Sequence, residues 1–196
     1  MRKSALLLAS LAVAMLLAGG VAWAATIRCP DESRCEGTSG PDTIYGSTDD
    51  QGYGDSVYSR EGGDRIYGRE DDDRSQEFGG GLHGNKGEDL VRGGDGQDDL
   101  FGGQGADRLF GGRGPDELDA EDIYAHDASP DLLVGGPGDD YLYAVASTHD
   151  TTKDRVYCGT GFDHVLANDG GKDEERGTFY GPRDYVDDSC EDVMRR

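Results

Sequence analysis

Residues 98–116 read DDLFGGQGADRLFGGRGPD, and this stretch repeats itself every nine residues. Each unit contains a glycine-rich segment, then an aspartate, then an apolar residue two positions later, as in Asp107 and Leu109. Several positions that recur together at a fixed step are the signature of a repeat architecture. A flexible glycine-rich linker would not keep an apolar residue in phase with an acidic one. The period therefore decides the fold.

The nine-residue frame extends well beyond this stretch. Counted from Gly84, four units read GNKGEDLVR, GGDGQDDLF, GGQGADRLF and GGRGPDELD, and weaker copies lie on both sides. Faded copies follow at Asp154 with Val156 and at Asp163 with Val165. In the clearer copies the aspartate position is occupied by Asp42, Asp55, Asp64, Asp73, Asp89, Asp98, Asp107, Asp116, Asp131 and Asp140.

A six-residue turn followed by a three-residue strand accounts for the unit. Side chains alternate between the two faces of a strand, so only the middle residue of three points inward, which explains the single apolar residue. Glycine lets the turn adopt positive φ and approach neighbouring backbone closely. Two units then form one coil, and stacked coils form two parallel sheets around a thin core. The predicted fold class is all-β, a right-handed parallel β-roll.

The acidic residues raise an electrostatic problem that points to a metal. The chain has 41 Asp and Glu against 19 Lys and Arg, a net charge of -22. Stacked coils place aspartates about 4.8 Å apart, where like charges repel by ~1 kcal/mol even in water. Ca²⁺ reverses this repulsion because it takes six to eight carboxylate and carbonyl oxygens, whereas Mg²⁺ requires stricter geometry and softer metals prefer thiolate or imidazole ligands. We expect roughly two to five calcium ions.

Net charge also restricts the partners. Binding to nucleic acid depends on clustered Lys and Arg, so an acidic chain argues against it, and an anionic membrane surface is disfavoured for the same reason. The composition leaves two possibilities, a disordered acidic chain or a chain that folds once its carboxylates are neutralised. The ordered repeat favours the second.

The N-terminus has the pattern of a secretory signal peptide. Arg2 and Lys3 precede an apolar stretch, and Ala22, Trp23 and Ala24 fit a small-x-small cleavage site. An uncleaved N-terminal anchor is the alternative. No second apolar run of membrane length follows. We therefore expect export of the bacterial Sec type, cleavage after residue 24, and a secreted protein without a membrane span.

The four cysteines agree with an oxidising compartment. Three pairings are open to Cys29, Cys35, Cys158 and Cys190. We favour Cys29 with Cys35 and Cys158 with Cys190, because each pair brackets one end of the chain; a zinc site competes, but no C-x-x-C spacing is present. The expected organisation is a signal peptide at 1–24, a disulfide-stapled cap at 25–36, a roll at 37–143 that is irregular at 46–54, 74–83 and 119–130, and a degenerate repeat with a disulfide-stapled cap at 144–196.

The unit G-G-x-G-x-D-x-U-x resembles the calcium-binding repeat of the repeats-in-toxin (RTX), or haemolysin-type, family. The resemblance covers about residues 37–143, and the chain is similar to small, secreted, stand-alone members. It implies a parallel β-roll whose calcium ions lie between turns i and i+2. The paired sites that it implies are Asp89 with Asp107, Asp98 with Asp116, and Asp55 with Asp73; Asp42, Asp64, Asp131 and Asp140 match the position without an assigned partner.

The expected function is calcium-ion binding coupled to folding, without catalysis. No G-x-S-x-G or H-E-x-x-H motif is present, and no EF-hand spacing. A small secreted hydrolase near His126 or His149 is one alternative. Another is a calcium-dependent adhesion or carbohydrate-binding module, with cell-surface polysaccharide or a second copy as the partner. It would use the outward aromatics at the ninth repeat position, Tyr45, Tyr58, Tyr67, Phe101, Phe110 and Tyr143.

Overall fold

The computed structural model describes residues 24–29, 34–48, 54–74, 80–121, 129–144, 153–167, 172–173, 178–179 and 183–195. These residues form strands and turns, with no helix among them. The strands are β1 (Thr26–Arg28), β2 (Arg34–Glu36), β3 (Thr43–Tyr45), β4 (Ser56–Tyr58), β5 (Arg65–Arg69), β6 (Gly81–Lys86), β7 (Leu90–Asp95), β8 (Asp99–Gln104), β9 (Arg108–Arg113), β10 (Glu117–Glu121), β11 (Leu132–Pro137), β12 (Tyr141–Tyr143), β13 (Arg155–Thr160), β14 (His164–Ala167), β15 (Lys172–Asp173), β16 (Thr178–Phe179), β17 (Tyr185–Val186) and β18 (Asp192–Arg195).

Successive strands alternate between two eight-stranded sheets. One sheet has the order β1-β3-β5-β7-β9-β11-β13-β17 and is called here the odd sheet. The other has the order β18-β14-β12-β10-β8-β6-β4-β2 and is called the even sheet. Every pairing in both sheets is parallel, and only β15 and β16 form a separate antiparallel pair. The all-β parallel roll predicted from the nine-residue period is confirmed.

One buried apolar residue per strand builds the core between the sheets. The burial pattern of β3 and β4 is the same, a fully buried middle residue between two half-buried ones. The middle residues stack in register from coil to coil, as Val91 does on Leu109. Those with no exposed surface are Ile44, Val57, Ile66, Leu82, Val91, Leu100, Leu109, Leu118, Leu133, Leu142 and Val156.

Interruptions in the repeat are accommodated without breaking this ladder. Val57 pairs in register with Leu82, and Leu82 with Leu100, although the first step along the chain is longer than the second. The extra residues lie between Asp73, which keeps its place in the turn, and β6. By the nine-residue spacing the strand position after Asp73 would fall on Ser75, which lies outside the described residues.

Both disulfides favoured from the sequence are present, and they lie at the ends of the roll. Cys29 follows β1 and is bonded to Cys35 in β2, which ties the first strand of the odd sheet to that of the even sheet. Cys158 in β13 is bonded to Cys190, which precedes β18. Strands at the open end of a sheet expose unpaired backbone groups, so these bonds fasten the coils that have a neighbour on one side only. In the described part of the chain no helix is long and apolar enough to cross a membrane.

Two adjacent leucines test the assignment of inward and outward positions. Leu133 has no exposed surface, whereas Leu132 points outward from the same strand. We expect Leu133→Ala to lower the free energy of unfolding by about 2–5 kcal/mol, and Leu132→Ala by about 1 kcal/mol or less. Urea denaturation in saturating calcium, followed by far-UV circular dichroism, measures both. Equal losses would contradict the assignment.

Candidate metal centres

The aspartates that end the turns form two buried ladders, one along each sheet. Successive members occupy the same place in successive coils, and each is at most 3% exposed. The ladder of the odd sheet consists of Asp42, Asp64, Asp89, Asp107, Asp131, Asp154 and Asp184; that of the even sheet consists of Asp55, Asp73, Asp98, Asp116, Asp140 and Asp163.

A single hydrogen bond repeats along both ladders. The backbone N–H of each aspartate donates to Oδ1 of the aspartate in the next coil, for example from Asp89 to Asp107 at 2.8 Å and from Asp98 to Asp116 at 3.0 Å. One oxygen of each carboxylate therefore sets the register between coils. At the last coil of the even sheet, the N–H of Asp163 donates to Oε2 of Glu191 instead, at 3.2 Å.

The second carboxylate oxygen is the unsatisfied one. Oδ2 is buried, with no hydrogen-bond partner among the described residues, in Asp64, Asp73, Asp89, Asp98, Asp116, Asp140 and Asp163. A buried polar oxygen without a partner destabilises a protein by about 1–3 kcal/mol, and by more when it carries charge. A buried carboxylate oxygen that lacks a partner in coil after coil is the arrangement expected at a binding site for a hard cation.

In most turns a glycine makes room for this oxygen. A Cβ added to Gly93 would lie 2.2 Å from Oδ2 of Asp98, and one added to Gly111 would lie 2.4 Å from Oδ2 of Asp116. Farther along the turn, Gly112 has a φ of +125°, and its Cβ would lie 1.9 Å from the carbonyl oxygen of Gly94 in the neighbouring coil. The glycine pattern therefore brings backbone carbonyls and carboxylates of adjacent coils close together.

Burial shifts five of the ladder carboxyls strongly toward the protonated form, namely Asp73, Asp89, Asp98, Asp116 and Asp140. Removal from water is the largest cause, and the charges of nearby carboxylates add to it, while the hydrogen bond from the preceding aspartate acts in the opposite direction. For Asp116 the charge of Asp98 is the second cause. The pKa rises to about 8 in Asp73 and Asp116, to about 7 in Asp89, and to about 6 in Asp98 and Asp140.

The donor set fits calcium better than other metals. Within the described residues no three His, Cys, Asp or Glu side chains come together as a metal cluster, so side chains alone do not form a complete shell. Carboxylates of neighbouring coils supply part of one, and the carbonyls of the glycine turns can supply the remainder. Ca²⁺ accepts six to eight such oxygens in flexible geometry. Described cysteines are all in disulfides, which leaves no thiolate for a softer metal.

All ten aspartates predicted as ligands lie in the two ladders. The three predicted pairs, Asp55 with Asp73, Asp89 with Asp107 and Asp98 with Asp116, are adjacent members, and their role as ligands stays a prediction. Four ladder positions were missing from the predicted set: Asp154, Asp163, Asp184 and Glu191. Each is followed two residues later by a valine, Val156, Val165, Val186 and Val193, and this aspartate-or-glutamate-x-valine signal was the one that could have found them.

Histidines give no support to a catalytic site in the described structure. His83 is stacked between Tyr58 and Phe101, with ring centroids 4.4 and 4.5 Å apart, and burial lowers its pKa. His164 stacks on Tyr141 and pairs with Asp192. His126 and His149, which the hydrolase hypothesis names, lie outside the described residues.

A family model for the RTX calcium-binding nonapeptide repeat (4 copies) matches residues 36–50, 51–74, 82–122 and 127–144, together half of the 196 residues. No curated protein and no solved structure matches the chain.

The raised pKa values predict an unusual pH dependence of the metal-free protein. In the unfolded chain these carboxyls have a pKa of about 3.9, so between about pH 4 and pH 8 the folded state binds more protons than the unfolded one. Stability is then greatest below about pH 4 and is lost as the pH rises toward 8. Thermal unfolding of metal-stripped protein across this range, followed by circular dichroism, measures it.

Saturating calcium should reverse this trend, because protons and calcium compete for the same carboxylates. The calcium-saturated protein should therefore lose stability on acidification. A metal-free protein that became more stable from pH 4 to pH 8 would contradict the account of the ladders.

Proposed function

The chain belongs to the family of RTX calcium-binding nonapeptide repeat proteins, and on that premise we propose that it is a secreted, non-enzymatic calcium-binding protein whose roll folds fully only when Ca²⁺ lies between the stacked turns. The observation that carries the proposal is the repeated buried Oδ2 without a hydrogen-bond partner, as in Asp98 and Asp116. The orphan oxygens of Asp73, Asp89, Asp98, Asp116 and Asp140 each lie against a glycine of the turn.

The energetic argument starts from the thin core. One buried Val, Leu or Ile per unit contributes ~1.5–3 kcal/mol, whereas ordering nine residues costs on the order of 10 kcal/mol in backbone entropy. Ionised aspartates at the spacing of neighbouring strands add repulsion. A divalent cation removes this repulsion and satisfies the orphan oxygens in one step, so metal binding and folding should be coupled.

The predicted pairs are the strongest candidates for ligands. Asp89 with Asp107 and Asp98 with Asp116 lie in units that keep their turn glycines, and Asp55 with Asp73 is the third pair. Three pairs fall within the roughly two to five ions expected from the sequence. Asp42, Asp64, Asp131 and Asp140 each have a ladder neighbour as well, and we propose them as further ligands.

Secretion would make the coupling between calcium binding and folding useful to the cell. Residues 1–24, with the pattern of a signal peptide, support export, and two disulfides favour an oxidising compartment. In a cytoplasm with little free calcium the chain would remain loose, which suits translocation. Outside the cell, where calcium is abundant, it would become compact.

Replacing one ladder carboxylate with its neutral isostere tests the coupling. We expect Asp116→Asn to raise the calcium midpoint of folding on the order of tenfold or more, because one charged ligand is lost. The same variant should retain more β-structure than the wild type without calcium at pH 7.5, because its folding no longer requires that a carboxyl ionised in the unfolded chain be buried or protonated. Calcium titrations followed by far-UV circular dichroism measure both effects.

Asp95→Asn is the matched control. It removes the same charge from the turn that ends at Asp98, but Asp95 is exposed and pairs with Arg113 at the surface, so the midpoint should move less than about twofold. Equal shifts in the two variants would sink the assignment of the ladder as the site. A wild-type spectrum that does not respond to calcium would overturn the proposed function itself.

A further inference from the structure

The outward surface of the odd sheet is basic, although the chain as a whole is strongly acidic. Two rows of side chains flank the buried apolar ladder, one before it and one after it, and their registers run unbroken from β1 to β13. The first row is Thr26, Thr43, Arg65, Leu90, Arg108, Leu132 and Arg155; the second is Arg28, Tyr45, Tyr67, Arg92, Phe110, Val134 and Tyr157. These two rows are called here the arginine face.

The arginine face contains five arginines and no carboxylate. All five, Arg28, Arg65, Arg92, Arg108 and Arg155, are exposed, and none of them forms an ion pair within the described part of the chain. The aspartates that directly precede the first row, such as Asp64 and Asp107, are buried in the ladder, and exposed acidic groups lie in the turns beyond the two rows, at Glu70, Glu88 and Asp95. A chain with a net charge of -22 thus presents one sheet surface of the opposite sign.

The even sheet shows the contrast. Its outward rows contain Glu36, Asp99, Glu117, Asp119 and Asp192 and one arginine, Arg34. Several of these carboxylates already have cationic neighbours: Arg34 and Arg60 at Glu36, Arg74 at Asp99, and His164 at Asp192. The charges of the two faces are therefore segregated.

Aromatic rings on the arginine face are occupied by their own neighbours. Tyr45 and Tyr67 stack on each other with centroids 5.2 Å apart. The guanidinium groups of Arg28 and Arg69 lie over Tyr45 at 5.5 and 5.2 Å, and that of Arg92 lies over Phe110 at 5.1 Å. Stacking of a base or a sugar on these rings would require displacing existing contacts. At these positions the face offers guanidinium groups rather than ring surfaces, whereas Tyr157 at its far end is 37% exposed.

Its dimensions suit a linear polymer. Six strand spacings make the face about 30 Å long, and two rows of one strand make it about 7 Å wide. Arg65, Arg108 and Arg155 lie in one row on every second strand, about 10 Å apart. A stable protein interface buries about 800 Å² per partner, which is more than this strip provides.

We propose that the arginine face binds a linear polysaccharide that carries carboxylate or sulfate groups. Guanidinium donates in a planar fork that matches such oxyanions, and the regular spacing lets several anionic groups of one polymer bind together. A second copy of this chain fits less well, since the carboxylates of its even sheet already have partners. Single-stranded nucleic acid fits less well, since the rings of Tyr45, Tyr67 and Phe110 already have stacking or guanidinium neighbours. Bound calcium would reduce the repulsion between the polymer and the rest of the chain.

Three arginines of one row provide the test. The variant Arg65→Gln/Arg108→Gln/Arg155→Gln is compared with Arg34→Gln/Arg60→Gln/Arg74→Gln, which makes the same change in net charge away from the arginine face. Binding to hyaluronan, which carries carboxylates, and to dextran sulfate is measured by biolayer interferometry in millimolar calcium, with neutral dextran as the reference polymer. Far-UV circular dichroism of each variant reports folding separately, so a failure to fold is distinguished from a failure to bind.

We expect the wild type and the control variant to bind at least one of the two anionic polymers and not dextran. The arginine-face variant should bind that polymer at least tenfold more weakly, and the slope of its log affinity against log salt should fall by about two. The polymer that binds identifies the anionic group. Equal loss in both variants, equal binding to dextran, or tighter binding to oligo(dT) than to either anionic polymer would overturn the proposal. So would sedimentation showing self-association that the arginine-face substitutions abolish while polymer binding is absent.

Discussion

Buried carboxylates one strand spacing apart are the constraint on which the rest of the roll depends. Each ladder aspartate uses Oδ1 to accept the N–H of the preceding coil, as Asp116 does from Asp98, and this bond fixes the distance at which its charge meets the next. The turn cannot increase that distance, because the carboxylate packs directly against the backbone of a glycine such as Gly111. Under the proposed coupling, the contact that defines the register is also the one that opposes folding until a cation is bound.

The opposition between the register-setting hydrogen bond and the carboxylate repulsion explains why the apolar core is thin. A thicker core would make the roll stable whether or not the ladders were neutralised, and the proposed coupling of folding to the metal would be lost. One inward residue per strand, for example Leu100 between Leu82 and Leu118, gives a continuous ladder that guides stacking while contributing only ~1.5–3 kcal/mol per unit. The disulfides at the two ends act on the outermost coils, where neighbouring strands are missing on one side.

The sequence predicts the regular part of this structure because each unit carries its own turn, ligand and core residue. It fails where these parts become separated along the chain. Asp73 keeps its ladder place while its strand residue is Leu82, and no local pattern connects them, since only stacking between Asp55 and Asp98 identifies the position. In the C-terminal coils the glycines fade, so Asp184 retains little more than the valine two residues later. Such positions are defined by their neighbours in space rather than in sequence.

The net charge of the whole chain does not predict the charge of an individual face of this roll, in which two repeat units form one coil. Because successive units alternate between sheets, residues two units apart share a face, and arginines at 65, 108 and 155 collect on the odd sheet while Asp99 and Glu117 collect on the even one. A net charge of -22 averages over an acidic interior, an acidic face and a basic face. To infer partners from charge in this fold, the residues must first be assigned to the odd or the even sheet, because each sheet receives every second repeat unit. The charge of each face is then counted separately. The ladder charges are the proposed ligands of the metal, and the exposed rows decide what the folded roll can contact.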